Sequence, residues 1–348
     1  MNKIYEKLMK KCFSLSKKSF GENMPNPYVG AIIYDEEKQE IISEGYHQKY
    51  GQNHAERNAI LNSKKSLMGK TLIVNLEPCS HFGKTPPCAD LIIKSGIKKV
   101  VIAMEDVNPL VKSNGIKKLK DAGIEVIVGI LENEAKELNK IFIKNQLEKK
   151  PYVMTKIAST LDFKISKEKN KPTVITNKKS HAFVQRLRCE YQAIMTGSGT
   201  ILADNPKLNV RLKNKKSPIR IIFDPNNKLK FDYNVFKNDG VKIIYINNSN
   251  VKTPDYIEKI SFKTFDELFK TLYKMGIYSI MIEAGQGLNS ELFKNNEIDE
   301  INYFIAPKIF NKGLDFIKAD CEINFKNVKI KKLDDDILIN AEVIKEKK

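Results

Sequence analysis

The chain contains no tryptophan and only four histidines in 348 residues, so a site that needs imidazole has few sources. Cysteine is scarce as well. Five cysteines, with no apolar signal segment in the opening Met1-Asn2-Lys3-Ile4-Tyr5-Glu6-Lys7, exclude a disulfide framework and point to a reducing compartment, the cytoplasm. No run of about 18 apolar residues occurs, which removes a membrane-spanning helix. Arginine is rare too: of 60 basic residues, five are arginine (Arg57, Arg186, Arg188, Arg211, Arg220). The net charge of +18 would suit a polyanion, but the lysines are scattered instead of clustered. They read as compositional bias, and neither a nucleic-acid nor a membrane partner is expected.

What is present is enough apolar residue, 41%, for two cores, in a chain longer than one core usually serves. The spacing predicts a helix over 3–20, a hairpin of strands 28–35 and 40–46, a helix over 54–62 and a strand over 71–76. A helix from Cys88 to Gly96 follows, then strand 98–103, helix 114–122, strand 124–128 and helix 131–147. Strand and helix alternation after a hairpin implies a mixed sheet sandwiched by helices. Lys149-Lys150-Pro151 reads as a linker, giving domains at 1–148 and 149–348. The second domain is expected to be α/β, with strands at 152–158, 192–195, 218–224, 242–247, 278–283, 299–306 and 336–344. Helices are expected near 178–189, 265–275 and 287–294, with 164–171 a solvated loop and the lysine-rich C-terminus a frayed tail.

One constellation carries chemistry. His54-Ala55-Glu56 opens a helix; 25 residues on, Pro78-Cys79 follows a strand, and Cys88 opens another helix. One imidazole, two thiols and an unligated carboxylate suit a catalytic zinc, with His54, Cys79 and Cys88 as ligands, an open position for water and Glu56 shuttling protons. Cys12, Cys189 and Cys321 lack such a context and read as buried or surface thiols. His81, inside the inter-cysteine loop, is either a fourth ligand closing a structural site or a pocket residue. Eight residues separate the cysteines, including His81, Lys84 and Thr85, and a cation beside the metal suits an anionic small molecule such as a sugar phosphate.

These residues, together with Pro25-Asn26-Pro27-Tyr28-Val29-Gly30, Gly45-Tyr46-His47 and the run from Leu76 to Cys88, closely resemble the bifunctional riboflavin-biosynthesis deaminase/reductases. The resemblance implies a cytidine-deaminase-like three-layer domain with a mixed sheet, followed by a dihydrofolate-reductase-like α/β domain. It implies deamination of a pyrimidine ribosyl phosphate, with Glu56 as proton donor and substrate contacts from Asn26, His47, Ala55 and Lys84. The second half is similar to the family's NADPH-dependent reductase in Lys156-Ile157-Ala158-Ser159-Thr160-Leu161-Asp162, Thr196 to Pro206, Pro218 to Asp224 and Ile282 to Gly287. That similarity implies substrate contacts by Arg188, Asp204, Leu208, Arg211 and Glu283. It implies a cofactor site at Ala158, Val174, Thr200, Asp204, Gly285, Gln286 and Gly287, and a homo-oligomer formed through the reductase domain. Three positions depart from the family pattern: Phe163 replaces a glycine, Val174 a tryptophan, and His181 an arginine. The rival reading is a nucleoside or nucleic-acid deaminase whose second domain binds a ligand without catalysis.

Overall fold

The computed structural model describes residues 2–82, 86–108, 113–169, 171–318 and 322–345. The chain divides into two compact units, Met1–Lys149 and Lys150–Lys348. In the first, the described elements are α1 (Asn2–Ser16), β1 (Gly30–Asp35), β2 (Glu40–Tyr46), α2 (Ala55–Leu61), β3 (Thr71–Val74), α3 (Cys88–Lys94), β4 (Lys99–Ile102), α4 (Asn114–Asp121), β5 (Glu125–Val128), α5 (Glu132–Leu138) and α6 (Lys140–Glu148). The sheet order is β2-β1-β3-β4-β5. β1 runs antiparallel to β2 and β3, and β3, β4 and β5 are parallel, so the sheet is mixed.

Every residue of β1 and of β3 is buried, as expected of central strands covered on both faces. Their Ile32, Ile33, Leu72 and Ile73 pack with Leu8, Met9 and Cys12 of α1 and with Ala55 and Ala59 of α2. The approach of α2 to β2 depends on Gly45, where a Cβ would come within 2.3 Å of the Ala59 nitrogen and 2.4 Å of the Ala55 oxygen. The continuous helix expected over 131–147 is instead two helices meeting at Asn139, whose φ of −106° departs from helical geometry.

The second unit contains β6 (Tyr152–Thr160), β7 (Lys164–Ser166), α7 (Lys178–Glu190), β8 (Ala193–Gly197), α8 (Ser198–Asp204), β9 (Ile219–Phe223), β10 (Ile243–Ile246), β11 (Ile257–Ile260), α9 (Phe265–Lys274), β12 (Ser279–Ile282), α10 (Gln286–Lys294), β13 (Glu300–Ala306), β14 (Leu314–Asp315), β15 (Phe325–Leu333) and β16 (Asp336–Val343). Nine strands form one sheet in the order β11-β10-β9-β8-β12-β6-β13-β16-β15, parallel except where β16 joins β13 and β15. Alternate residues of its strands enter two apolar clusters. Met195, Ile221 and Ile244 pack with α9 and α10, while Ile194, Ile222 and Tyr245 pack with Ile201, Val235 and Phe236.

Four features were not expected from the sequence. The supposed loop 164–171 begins with β7, which pairs with β14 and is tied by Lys164 to Asp315 at 2.6 Å. The short β11, the short α8 and the lysine-rich β15 are also present. β15 is exposed at every position but Leu333, so its lysines face solvent and hide the strand pattern. Residues 346–348 of the expected tail and Cys321 lie outside the described residues.

Candidate active sites

His54 is the N-cap of α2, in extended conformation, and Cys88 is the first residue of α3. Cys79 follows β3 and is fixed from both sides, since its carbonyl accepts the Ala89 N–H at 3.1 Å and its Sγ accepts the Cys88 N–H at 3.4 Å. The donor atoms of His54, Cys79 and Cys88 all lie within 4.8 Å of one another, with each Sγ 3.5 Å from His54 Nδ1. Two thiols and one imidazole at this spacing fit a tetrahedral zinc with one open position. The thiol pair is polarised: hydrogen bonding from Cys88 and His54 pulls the Cys79 pKa down, while the bond to Cys79 and burial push Cys88 up. His81 is not in this donor group; it lines the adjoining cavity.

That cavity, of about 260 Å³, is also lined by Asn26, His47, His54, Glu56, Cys79, Asp106, Asn108, Phe142 and Gln146. Glu56 is 3% exposed, and burial pushes its carboxyl up to about 7 against the opposing charge of His54. A carboxyl in that range both accepts and gives protons near neutrality. His47 is likewise buried, which lowers its pKa and keeps it neutral. The carbonyl of Asn53, 3.0 Å from Nδ1, can only accept, so Nδ1 carries the hydrogen. Nε2 then accepts from Asn26 Nδ2 at 3.0 Å, leaving the Asn26 carbonyl oxygen for a ligand. Ala55 does not line the cavity; the residue is wholly buried in the core. Lys84 lies outside the described residues.

Among the cavity residues named, Asp106, Asn108, Phe142 and Gln146 went unpredicted. Asp106 is buried, and desolvation raises its carboxyl to about 6. Phe142 and Gln146 enter from α6. No local motif marks them; the signal lies one step away, in Glu77. Its buried carboxylate accepts the main-chain N–H groups of Asp106, Ser113, Gly115 and Ile116 at 3.0 to 3.2 Å, clamping the segment that carries Asp106 and Asn108. Gly115 permits that clamp, because a Cβ there would stand 2.0 Å from the Pro78 oxygen.

In the second unit Thr200 follows β8 and Glu283 and Gly285 follow β12, at the C-terminal ends of neighbouring parallel strands, where open α/β sheets bind ligands. Glu283 follows β12 and receives a bidentate pair from Arg188 of α7, Nε at 2.6 Å and Nη2 at 2.9 Å. Burial alone would raise the Glu283 pKa, but Arg188 outweighs it and holds the carboxyl below the usual range. Arg188 Nη1 also donates to the Asn209 carbonyl at 2.8 Å, and Gln185 accepts the Arg211 N–H at 2.8 Å. Arg188, Leu208 and Arg211 line one depression with Pro206, Lys207 and Asn209.

Asp204 ends α8; burial raises its pKa and the charge of Lys156 opposes the rise. Lys156, on β6, is the residue that sequence reasoning left out of the site. Desolvation lowers its pKa, and it feels the charges of Glu283, Arg188 and Asp204. Thr200 Oγ1 accepts the Gly285 N–H at 3.1 Å, joining the starts of α8 and α10. A Cβ at Gly199 or Gly287 would meet nothing within 4 Å, so the main chain there is open to a ligand and suits a dinucleotide phosphate. Val174 is 76% exposed and offers no aromatic wall, and Phe163 takes a positive φ of 62°. His181, on α7, has its pKa lowered by burial and by the charges of Lys156, Arg211 and Arg188.

Two family models match the chain: the cytidine and deoxycytidylate deaminase zinc-binding region over residues 2–104, and the RibD C-terminal domain over residues 151–339. The riboflavin biosynthesis protein RibD of Aquifex aeolicus is 38% identical over 352 residues, covering 97% of this chain and 98% of that protein. The protein of the same name from Actinobacillus pleuropneumoniae is 36% identical over 359 residues, covering 97% and 94%. Among solved structures, a Thermotoga maritima diaminohydroxyphosphoribosylaminopyrimidine deaminase/5-amino-6-(5-phosphoribosylamino)uracil reductase superposes with a TM-score of 0.90 at 38% identity over 99% of both chains. Acinetobacter baumannii RibD gives 0.90 at 33% identity, covering 99% of this chain and all of that one. With a zinc site's donors in one unit, open main chain at Gly199 and Gly287 in the other and relatives that span both, the chain belongs to the RibD family of bifunctional deaminase/reductases of riboflavin biosynthesis.

Proposed function

We propose that the first unit deaminates 2,5-diamino-6-ribosylamino-4(3H)-pyrimidinone 5′-phosphate by hydrolysis. The second then reduces the ribosyl group to ribityl, giving 5-amino-6-ribitylamino-uracil 5′-phosphate. The observation that carries this reading is the meeting of the His54, Cys79 and Cys88 donors with a buried Glu56 on one small cavity. Zinc held by those donors supplies Lewis acidity that makes water nucleophilic near neutral pH. Glu56 carries the two protons of the attacking water in turn, the first to the ring nitrogen and the second to the departing amine, a task its raised pKa suits. The Asn26 carbonyl and the neutral His47 orient the pyrimidine, and Lys84 is assigned to the phosphate.

In the reductase unit, NADPH supplies the hydride. Thr200, the Gly285-Gln286-Gly287 turn, Ala158, Val174 and Asp204 form its binding surface. Arg188 and Arg211, with Leu208 beside them, receive the substrate, and Glu283 holds Arg188 in place. The same reading makes the protein a cytoplasmic enzyme that acts on small molecules and not on nucleic acid; its thiolate pair needs a reducing compartment. It also makes the protein a homo-oligomer through β15. There Val328 and Ile330 are 54% and 71% exposed on an edge strand, a surface that a second copy would cover.

The diamino-pyrimidinone phosphate is supplied with and without NADPH and the products are resolved by mass. Expected is a gain of about 1 Da without cofactor and about 2 Da more with it. Deamination of cytidine or of a polynucleotide, with the pyrimidinone phosphate untouched, would overturn the reading in favour of the rival.

A further inference from the structure

The break at Asn139 has no cause in its own stretch. Leu138-Asn139-Lys140 holds neither proline nor glycine, and Asn139 closes one helix and opens the next: its N–H reaches the Ala135 oxygen at 3.1 Å and its carbonyl accepts the Ile143 N–H at 2.9 Å. The cause is the side chain. Asn139 is 1% exposed; its Oδ1 accepts the Tyr28 N–H at 2.8 Å and its Nδ2 donates to the Tyr28 carbonyl at 3.2 Å. Both main-chain groups of Tyr28 are thus held by one amide. Asn75, fully buried at the end of β3, completes the grip by donating to the same carbonyl at 2.8 Å and accepting the Gly30 N–H at 2.7 Å.

Tyr28 stands two residues after Asn26, with Pro27 between them, whose ring fixes φ and removes slack. Pinning Tyr28 therefore pins Asn26, whose amide faces His47 on the cavity wall. On the other side, the bend at Asn139 sets the course of α6, which puts Phe142 and Gln146 on the same wall. A buried asparagine within a helical stretch is a poor choice for helix stability alone. One amide that fixes the pocket's loop and turns its helical wall explains the choice.

We propose that Asn139 is a positioning residue of the deaminase site, acting through Tyr28 on Asn26 and, through the bend, on the Phe142 and Gln146 wall. The inference rests on the reading of Asn26 as a substrate contact. The test uses the full chain loaded with zinc and compares N139A, N139D, N26A and the double variant N26A/N139A in steady-state deamination. N139A raises KM roughly tenfold, as loss of buried hydrogen bonds does, while kcat stays within about threefold because binding and not the chemical step is disturbed. Zinc stoichiometry and NADPH-dependent reduction of the deaminated substrate are unchanged.

N139D keeps an acceptor for the Tyr28 N–H but sets a carboxylate oxygen against the Tyr28 carbonyl in place of the Nδ2 donor, so it too raises KM, with kcat again within about threefold. The double variant binds substrate no worse than about the N26A variant, because residues acting in series are not additive. Independent, multiplied KM effects would overturn the inference, as would an unchanged KM in both Asn139 variants. If N139A does not fold, N139D and its combination with N26A decide by the same criterion. An N26A variant with unaltered KM sinks the underlying reading and this inference with it; N26A effective and Asn139 silent sinks the inference alone.

Discussion

The two units bury carboxylates in opposite ways. Among the described residues no arginine or lysine grips Glu56 of the deaminase unit, and its pKa climbs toward neutrality. Glu283 lies in the reductase unit gripped by Arg188, and its pKa falls. An unpaired buried carboxyl can move a proton at physiological pH, whereas a paired one is a fixed charge that holds its partner still. On the proposed mechanism the deaminase unit uses its acid as a reagent and the reductase unit uses its acid as a frame.

The largest effect should come from removing the reagent. Glu56→Gln keeps the shape and the zinc donors but cannot carry the proton, so ammonia release should fall by roughly 10²–10⁴-fold, the usual share of a general acid/base. Zinc content by elemental analysis and reduction of pre-deaminated substrate should stay unchanged. Stripping zinc with a chelator should stop deamination in the same selective way. A variant that still releases ammonia at the wild-type rate would remove Glu56 from the mechanism and dissolve the contrast.

Glu283→Ala tests the frame. Arg188 and Glu283 side chains are 12% and 15% exposed, and deleting one partner of a largely buried pair costs roughly 3 kcal/mol through the charge left behind. The reductase unit should melt earlier and lose substrate reduction, with deamination unaffected. The pH dependence has a definite sign. Because the folded pKa of Glu283 lies below its unfolded value of about 4.3, the stabilisation is present above that value and is lost as pH falls through the folded pKa. Thermal scans of wild type should therefore lose stability below about pH 4, and the variant should lose less. Equal acid sensitivity in both would show that the pair is not a frame.

The deaminase site was largely legible because its donors sit on short local features: a helix start, a strand end and a second helix start within one contiguous span. Asp106, Phe142 and Gln146 were not legible, because tertiary clamps at Glu77 and Asn139 bring them in and neither clamp has a periodic signature. In the reductase unit the strand order could not be read at all from local pattern, and Lys156 looked like any strand lysine until the fold set it among Glu283, Arg188 and Asp204. β15 was missed for the opposite reason: its exposed lysines made a strand look like solvent-facing coil.

Backbone strain gives the smallest test of the same contrast. Ser113 in the deaminase unit and Phe163 in the reductase unit both take φ of 62°. Ser113 is held there by Glu77, which accepts its N–H at 3.1 Å, so its conformation belongs to the clamp on the cavity wall. Phe163 is 54% exposed and its N–H makes only a turn bond to the Thr160 carbonyl at 3.0 Å. A left-handed conformation costs an L-residue about 1–2 kcal/mol, and glycine gives back roughly half of that gain through its freer unfolded state. Phe163→Gly should therefore raise the stability of the reductase unit by no more than about 1 kcal/mol and leave the NADPH affinity within about twofold. Calorimetry with a cofactor titration checks both. A marked loss of NADPH affinity would mean that the strained ring is a working part of the cofactor site, and that the reductase unit, like the deaminase unit, holds a residue in an unfavourable state because its chemistry needs it there.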